Sequence, residues 1–318
     1  MRRIAVLDDY QSAAAEFTDW SRLPEPAEVV EFHDSVSDPD ALVARLAPFD
    51  VVVAMRERTR FSREVLERLP NLRLLVTTGM RNKSIDVEAA AERGITVCGT
   101  GSGATATVEL TWALILAAVR HLPQEDASMR AGGWQTTIGG DLAGGTLGVI
   151  GLGRLGSQVA RIGVAFGMDV VAWSQNLTDE RAADVGARRV AKDELFATAD
   201  VVTIHLLLSK RTRGLIGADD LALMKHSAVL VNTSRGPIVD EAALIDVLRR
   251  GTIAGAGLDV YDSEPLPRDH PLRELRRAVL TPHLGYVTRG TYELFYGEAV
   301  EDVAAFLAGA PIRVITPS

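Results

Sequence analysis

Apolar residues fall into short runs separated by stretches of helical spacing, and this alternation occurs twice along the chain. Residues 4–7 (Ile-Ala-Val-Leu), 50–54, 71–77 and 94–98 predict buried strands. Between them, 40–47 and 62–68 carry helical periodicity and start on acidic or hydroxyl residues. The first hundred residues are thus expected to form a small parallel α/β unit. Residues 105–122 are apolar almost all round (Leu110, Trp112, Leu114, Ile115, Leu116, Val119), which predicts a helix buried between two layers or two subunits. Near-continuous apolar strands follow at 147–150, 169–173, 201–204, 228–231 and 255–259, with helices at 156–166 and 241–250. Strands of that kind belong to a sheet covered on both faces. A last helix over 289–308, with Leu294, Phe295, Val303 and Phe306 as core contacts, is expected to return to the first unit. The fold class is therefore α/β with two Rossmann-like domains: a doubly wound parallel sheet over 102–285, and a smaller flavodoxin-like domain over 1–101 plus 286–318.

Composition narrows the function more by exclusion than by indication. The 318 residues are 47% hydrophobic and 24% charged, as in an ordinary globular protein, and glycine and proline are dispersed. A net charge of −8 supplies no basic field for nucleic acid or an anionic membrane. An anionic ligand must then be attracted locally, by particular arginines and backbone amides. Cys98 is the only cysteine, so an intramolecular disulfide and a Cys-rich metal site are excluded, and no metal site is expected. Asp8-Asp9 interrupts the first apolar run too early for a signal peptide, and no apolar run is long enough to span a bilayer. The expected location is the cytoplasm.

Gly151-Leu152-Gly153-Arg154-Leu155-Gly156 follows a predicted strand and opens a predicted helix. In that context the three glycines match a dinucleotide cradle rather than a merely structural turn. Gly151 permits the tight turn, Gly153 lets backbone approach a pyrophosphate, and Gly156 lets helix pack on strand. The helix N-terminus then supplies unpaired amides and a favourable dipole. An acid is expected about 20 residues on, to hold the ribose 2′-hydroxyl. The strand instead runs into Ser174, Gln175 and Asn176. Without a carboxylate nothing repels a 2′-phosphate, and these side chains can donate to it. The reading is NADP or NAD, leaning to NADP.

Three later segments add chemistry: Asn232-Thr233-Ser234-Arg235-Gly236-Pro237, Asp259 to Pro265 containing Glu264, and Thr281-Pro282-His283-Leu284-Gly285. Each lies at or just beyond the C-terminal end of a predicted strand, the ligand side of such a sheet. Hydride transfer to a 2-keto acid leaves negative charge on the carbonyl oxygen. It needs a proton donor there and a fixed cation beside the carboxylate. An imidazole such as His283 suits the reversible donor. A carboxylate such as Glu264 favours its protonated form and fixes its tautomer. The planar fork of Arg235 matches a carboxylate and polarises a carbonyl. Singly, each has an ordinary structural alternative as a surface arginine, a turn glutamate or a strand-capping histidine.

Through these motifs the chain resembles the D-isomer-specific 2-hydroxyacid dehydrogenase family over nearly its full length. Val231 to Gly236 with Val239-Asp240-Glu241 is similar to the family's arginine segment, Gly257 to Pro265 to its glutamate segment, and 281–285 to its histidine segment. The resemblance implies an NAD(P)-dependent enzyme interconverting a small 2-keto acid and its D-2-hydroxy acid. In it Arg235 binds and polarises substrate, Glu264 tunes His283, and His283 is the acid/base. It also implies that Asp259, Thr233 and Ser234 border the nicotinamide, that Thr107 contacts phosphate, and that His205, Leu206 and Gly285 line the cofactor site. Gly79, Met80 and Arg81 fall at the substrate-carboxylate loop, where Arg81 replaces a usual glycine. Arg56 matches a position that contacts anionic substrates in phosphoglycerate dehydrogenase-like members, or is a solvated arginine beside Arg58 and Arg60. Leu207, where a proline is common, and Tyr286 after the histidine motif are further departures, with Tyr286 expected beside substrate. A homodimer is implied, through the helix at 105–122 and the segment 129–142. Phosphoglycerate and phosphite dehydrogenases are alternatives within the enzyme class, whereas Glu264 argues against formate dehydrogenase, which pairs its histidine with Gln. A non-catalytic NAD(H)-binding sensor of the corepressor kind is the alternative outside it.

Overall fold

Parallel strand pairing organises two units. The computed structural model describes residues 1–103 and 105–317; Ala104 and Ser318, which fall within the domain limits drawn above, lie outside the described residues. Unit 1 comprises Met1–Gly103 with Thr288–Ser318, and unit 2 comprises Ala104–Val287.

In unit 1 the strands are β1 (Arg2–Val6), β2 (Ala27–Glu31), β3 (Val51–Ala54), β4 (Leu74–Thr77) and β5 (Thr96–Gly99), in the spatial order β2-β1-β3-β4-β5 and parallel throughout. That is the flavodoxin-like order. β3 and β4 are buried at every position, as their unbroken Val and Leu runs require. The predicted strand over 71–77 begins only at Leu74, which pairs with Val51, the first residue of β3. β2 escaped the sequence reading: it is a half-buried edge strand with glutamates at 28 and 31, held by its register with β1. The helix Arg289–Leu307 buries Tyr292, Phe295, Tyr296 and Val303 in this unit, with Leu294 and Phe306 half-buried. Beyond it the chain returns to β5. Gly99 N–H donates to Arg313 O and Ile315 N–H to Val97 O, an antiparallel bridge centred on Cys98 and Val314. Arg313 is tied to the helix by Asp302 (2.9 Å), Glu301 (3.2 Å) and the Glu298 carbonyl (2.8 Å).

Unit 2 carries β6 (Thr146–Ile150), β7 (Asp169–Trp173), β8 (Ala187–Arg189), β9 (Val201–Ile204), β10 (Val229–Asn232), β11 (Gly255–Leu258) and β12 (Ala278–Leu280). Their order is β12-β11-β10-β9-β6-β7-β8, all parallel, with the direction of winding reversing between β6 and β9. Ligands of doubly wound sheets bind at the carboxyl ends of strands beside such a reversal. The expected helix over 105–122 is two helices. Thr105–Val119 ends at a turn in which His121 has φ +52°, and Leu122–Arg130 starts anew with Pro123 in its first turn. Proline suits that position because it has no amide hydrogen to lose. The second helix buries no residue in its own unit. Among the described residues no helix is long and apolar enough to cross a membrane, and no group of three or more His, Cys, Asp or Glu is placed to hold a metal ion.

Candidate active site

The glycine loop joins β6 to the helix Arg154–Ala165, beside the winding reversal. Gly151 has φ +96°, and a Cβ on it would lie 2.6 Å from the His205 carbonyl oxygen. A Cβ on Gly156 would lie 2.0 Å from Gly151 O, so helix and loop touch only because both residues are glycine. Around Gly153 the opposite holds: a Cβ would meet nothing within 4 Å. Gly153 is the N-cap of the helix, and no side chain caps it. An open glycine before an uncapped helix N-terminus fits the pyrophosphate of a dinucleotide. Arg154 is exposed, Leu155 half-buried and Leu152 buried.

At the end of β7, Ser174 Oγ accepts the Leu152 N–H (3.2 Å), which ties the expected ribose-binding strand end to the glycine loop. Gln175 and Asn176 are exposed. His205 follows β9. Its Nε2 lies 3.0 Å from Thr203 Oγ1, and burial pushes the ring down to about 4, so it is neutral at pH 7. Leu206 O accepts the Ser234 hydroxyl, binding the exits of β9 and β10 together.

Asn232, the last residue of β10, shapes the arginine turn. It is buried, its Oδ1 accepts Ser234 N–H (3.0 Å), and its Nδ2 donates to Arg235 O (3.0 Å). Arg235 Nη1 donates to Ser234 O (2.7 Å), and Thr233 Oγ1 lies 2.7 Å from Thr111 Oγ1 of the long helix.

The histidine turn depends on Asp259. Its Oδ1 accepts Thr281 Oγ1–H (2.6 Å) and Leu284 N–H (2.7 Å), and its Oδ2 accepts Gly285 N–H (2.9 Å). Burial pushes this carboxyl above its ordinary range, against the pull of those donors and of His283. Between the tethered residues His283 adopts φ +56°, a left-handed conformation rare for a residue with a side chain. Such strain costs about 1–3 kcal/mol and persists only where neighbours over-determine it; here Asp259 does so. The ring then meets Glu264, with Nδ1 to Oε2 at 2.5 Å, and Glu264 Oε1 accepts Tyr261 N–H (3.1 Å). Tyr261 OH shares its one proton between Thr281 O (2.9 Å) and Leu258 O (3.1 Å), closing β11 to the histidine turn. Tyr286 is buried with its ring edge-on to His283, centroids 5.7 Å apart. The Thr107 hydroxyl donates to Gly285 O (2.8 Å) and props the same turn.

Unit 1 has a second constellation at the carboxyl ends of its strands. Arg56, after β3, has φ +54°, and its Nη1 donates to Thr78 O (3.0 Å). Gly79, after β4, has φ +98°, and its N–H donates to Thr100 Oγ1 (2.9 Å). A Cβ at 79 would lie 2.2 Å from Arg56 Nη1, so the guanidinium fills the space behind that glycine. Asn82 links the two turns through Arg56 O (2.5 Å) and Thr77 Oγ1 (2.8 Å). Met80 and Arg81 are exposed. Arg56 is thus anchored rather than freely solvated.

Residues 112–285 match the model of the D-isomer specific 2-hydroxyacid dehydrogenase NAD binding domain. A glyoxylate reductase from Aeropyrum pernix is 42% identical over 260 residues, 79% of this chain and 78% of that protein. The chain belongs to the D-isomer specific 2-hydroxyacid dehydrogenase family. A D-3-phosphoglycerate dehydrogenase from Archaeoglobus fulgidus is 39% identical over 278 residues, 86% of this chain. The chain spans about half the length of that and several other curated relatives it matches, 52% in the Archaeoglobus case. The crystal structure of a phosphoglycerate oxidoreductase from Vibrio cholerae superposes with a TM-score of 0.92 at 40% identity, covering 98% of this chain and 100% of that one.

The sequence reading singled out Arg235, Glu264 and His283 and passed over the side chains that hold their turns. Asn232, Thr281 and Tyr261 sit inside or beside the quoted motifs, and their side chains set the turns. A buried amide at a strand end, two residues before a serine, was the available signal for Asn232. Nothing in the local sequence pointed to Asn82 or Thr100.

Proposed function

We propose that this protein is an NAD(P)-dependent oxidoreductase that interconverts a small 2-keto acid and its D-2-hydroxy acid. The observation that carries this reading is the 2.5 Å contact of His283 Nδ1 with Glu264 Oε2, on a turn locked by Asp259. With Nδ1 committed to Glu264, proton exchange with a substrate oxygen runs through Nε2. In the reduction, His283 delivers that proton to the carbonyl oxygen, and Glu264 stabilises the cationic ring from which it leaves. Arg235, its backbone set by Asn232, offers its guanidinium to the substrate carboxylate and carbonyl. Asp259 keeps the histidine turn from relaxing as the ring changes charge. A bound nicotinamide supplies or takes the hydride, and the glycine loop is the element that would hold its pyrophosphate. Arg56 and the turn at 79–81 remain the proposed contacts of unit 1 for an anionic substrate, the class to which the acids named for relatives belong.

For the cofactor we favour NADP. No carboxylate stands at the end of β7, Ser174 is fixed at the glycine loop, and the nearest acid beyond it, Asp179, is paired with Arg189 at 2.7 Å. A second copy of this chain is the proposed partner. Trp134 (73% exposed) and Ile138 (95%) leave the segment after the helix Leu122–Arg130 with apolar surface that its own unit does not cover. Light scattering of the wild type and I138E tests it; two monomers there would remove the dimer.

The deciding assay follows absorbance of NADPH and NADH with a panel of 2-keto acids. Turnover that disappears in H283A and R235A supports the reading. Tight cofactor binding with no turnover on any acid moves the protein to a non-catalytic dinucleotide binder.

A further inference from the structure

Three turns of unit 2 meet at the peptide joining Tyr261 to Asp262. Gly236, next to Arg235, packs so closely that a Cβ there would lie 2.1 Å from Tyr261 C and 2.6 Å from Asp262 N. Tyr261 N–H donates to Glu264 Oε1 (3.1 Å). The next amide, Asp262 N–H, donates to Glu241 Oε2 at 3.3 Å. Glu241 opens the helix Glu241–Arg250, and its other oxygen, Oε1, lies 3.1 Å from His270 Nε2. His270 Nδ1 accepts Leu272 N–H (3.3 Å), which puts the ring proton of the neutral form on Nε2 and makes that atom the donor to Glu241. Both side chains are mostly buried, at 17% and 19% exposure. Around them, burial and the carboxylates of Glu241 and Asp240 push Asp262 up, against Arg213 and His270.

A second imidazole–carboxylate pair therefore stands one turn behind that of His283 and Glu264. A glutamate at a helix start can serve the helix dipole alone. This one engages partners outside the helix with both oxygens. We infer that Glu241 and His270 are positioning residues: they clamp the Asp262 amide and so fix the turn on which Glu264 meets His283 and against which the Arg235 turn rests. Because the peptide group is planar, rotating the Asp262 amide swings the Tyr261 carbonyl with it and disturbs the Gly236 contact and the Glu264 turn together. The inference rests on the proposed reductase reading for its kinetic consequence, and on geometry alone for the rest.

The test compares wild type, E241A, E241Q, H270A and E264Q as full chains. In E241A, kcat for 2-keto acid reduction is expected to fall roughly 10- to 100-fold, the scale of a small misplacement of reacting groups. KM for the nicotinamide cofactor stays unchanged. The high-pH limb of the rate profile moves to lower pH, in the direction of E264Q. E241Q keeps an acceptor for the Asp262 amide and recovers most of the rate; H270A shifts the profile the same way as E241A by less. The second readout is NMR titration of isotope-labelled histidine rings, with the His283 signal assigned from H283N. Its midpoint moves to lower pH in E241A. Variants that melt earlier yet keep the wild-type pH profile and His283 titration overturn the inference in favour of a plain structural role. If the wild type reduces no 2-keto acid, the functional reading fails, and the NMR comparison alone decides this one. Should E241A not fold, H270A carries the same comparison.

Discussion

Replacing Asp259 with asparagine changes almost no volume and removes the group on which the histidine turn hangs. The carboxylate accepts three donors: Thr281 Oγ1 and Leu284 N on Oδ1, and Gly285 N on Oδ2. Asparagine has one acceptor oxygen. Placed at Oδ1 it keeps the first two contacts, and its amide nitrogen then faces the Gly285 N–H across 2.9 Å, donor against donor. Loss of a hydrogen bond to an ionised group costs about 1.5–3 kcal/mol, and each buried donor left unpaired about 1–3 kcal/mol. Removing a charge that burial already disfavours offsets part of this. The net expectation for D259N is a loss of about 2–4 kcal/mol, roughly 5–15 °C in Tm for a domain of this size. The turn carrying the left-handed His283 loses one of its three tethers at the same time, so kcat is expected to fall by about 10- to 100-fold. Calorimetry and steady-state kinetics on the same preparation measure both. A D259N protein that melts with the wild type and turns over normally refutes the argument that Asp259 holds the turn.

Glycine 156 gives a sharper local test: its missing Cβ would lie 2.0 Å from Gly151 O, a backbone atom with nowhere to go, so G156A is expected to weaken cofactor binding about 10- to 100-fold for 1–3 kcal/mol of overpacking. Fluorescence titration with NADPH and NADH reads it, and an unchanged Kd sinks the cradle assignment. In E264Q the imidazolium loses its neighbouring charge, so the high-pH limb of keto acid reduction moves to lower pH and kcat falls; a profile superposable on wild type contradicts the dyad. Asp302 is wholly buried, and burial pushes it up to about 7 from 3.8 despite Arg313. The folded state thus holds this proton more tightly than the unfolded state. Its stabilisation is complete below the unfolded value and is lost as pH rises through about 7. Wild-type Tm should therefore decline across that window more steeply than that of D302N, and parallel curves would speak against it.

The strands that position chemistry were legible because they are buried on both faces: the Val and Leu runs of β3, β6, β9 and β10 need no partner to be recognised. β2 and β12 were not. They are edge strands of intermediate burial, and their pairing with β1 and β11 supplies what their short apolar runs lack. The break at His121 was hidden by continuing apolar character through Leu122, although Pro123 was there to mark a new helix start. Within the site, residue types and strand-end positions singled out Arg235, Glu264 and His283. Their supports join positions some twenty to thirty residues apart, as in Asp259 with Leu284 or Glu241 with His270, and no local pattern encodes such a meeting.

The return of the chain to β5 makes the Gly79 turn of unit 1 a composite of distant sequence. A Cβ on Gly99 would collide with Gly79 O at 2.8 Å and with Ile315 Cδ1 at 2.9 Å, so the loop at 79 and the tail at 315 are packed against the same glycine. Gly101 N–H is held by Glu298, and Arg313 grips the helix that carries Glu298. The functional module for exchange between relatives is therefore discontinuous. A chimera that imports residues 1–103 from a glyoxylate reductase while keeping the native 288–317 would inherit the foreign loop on a mismatched backing. One that imports both segments would carry the loop together with its own backing.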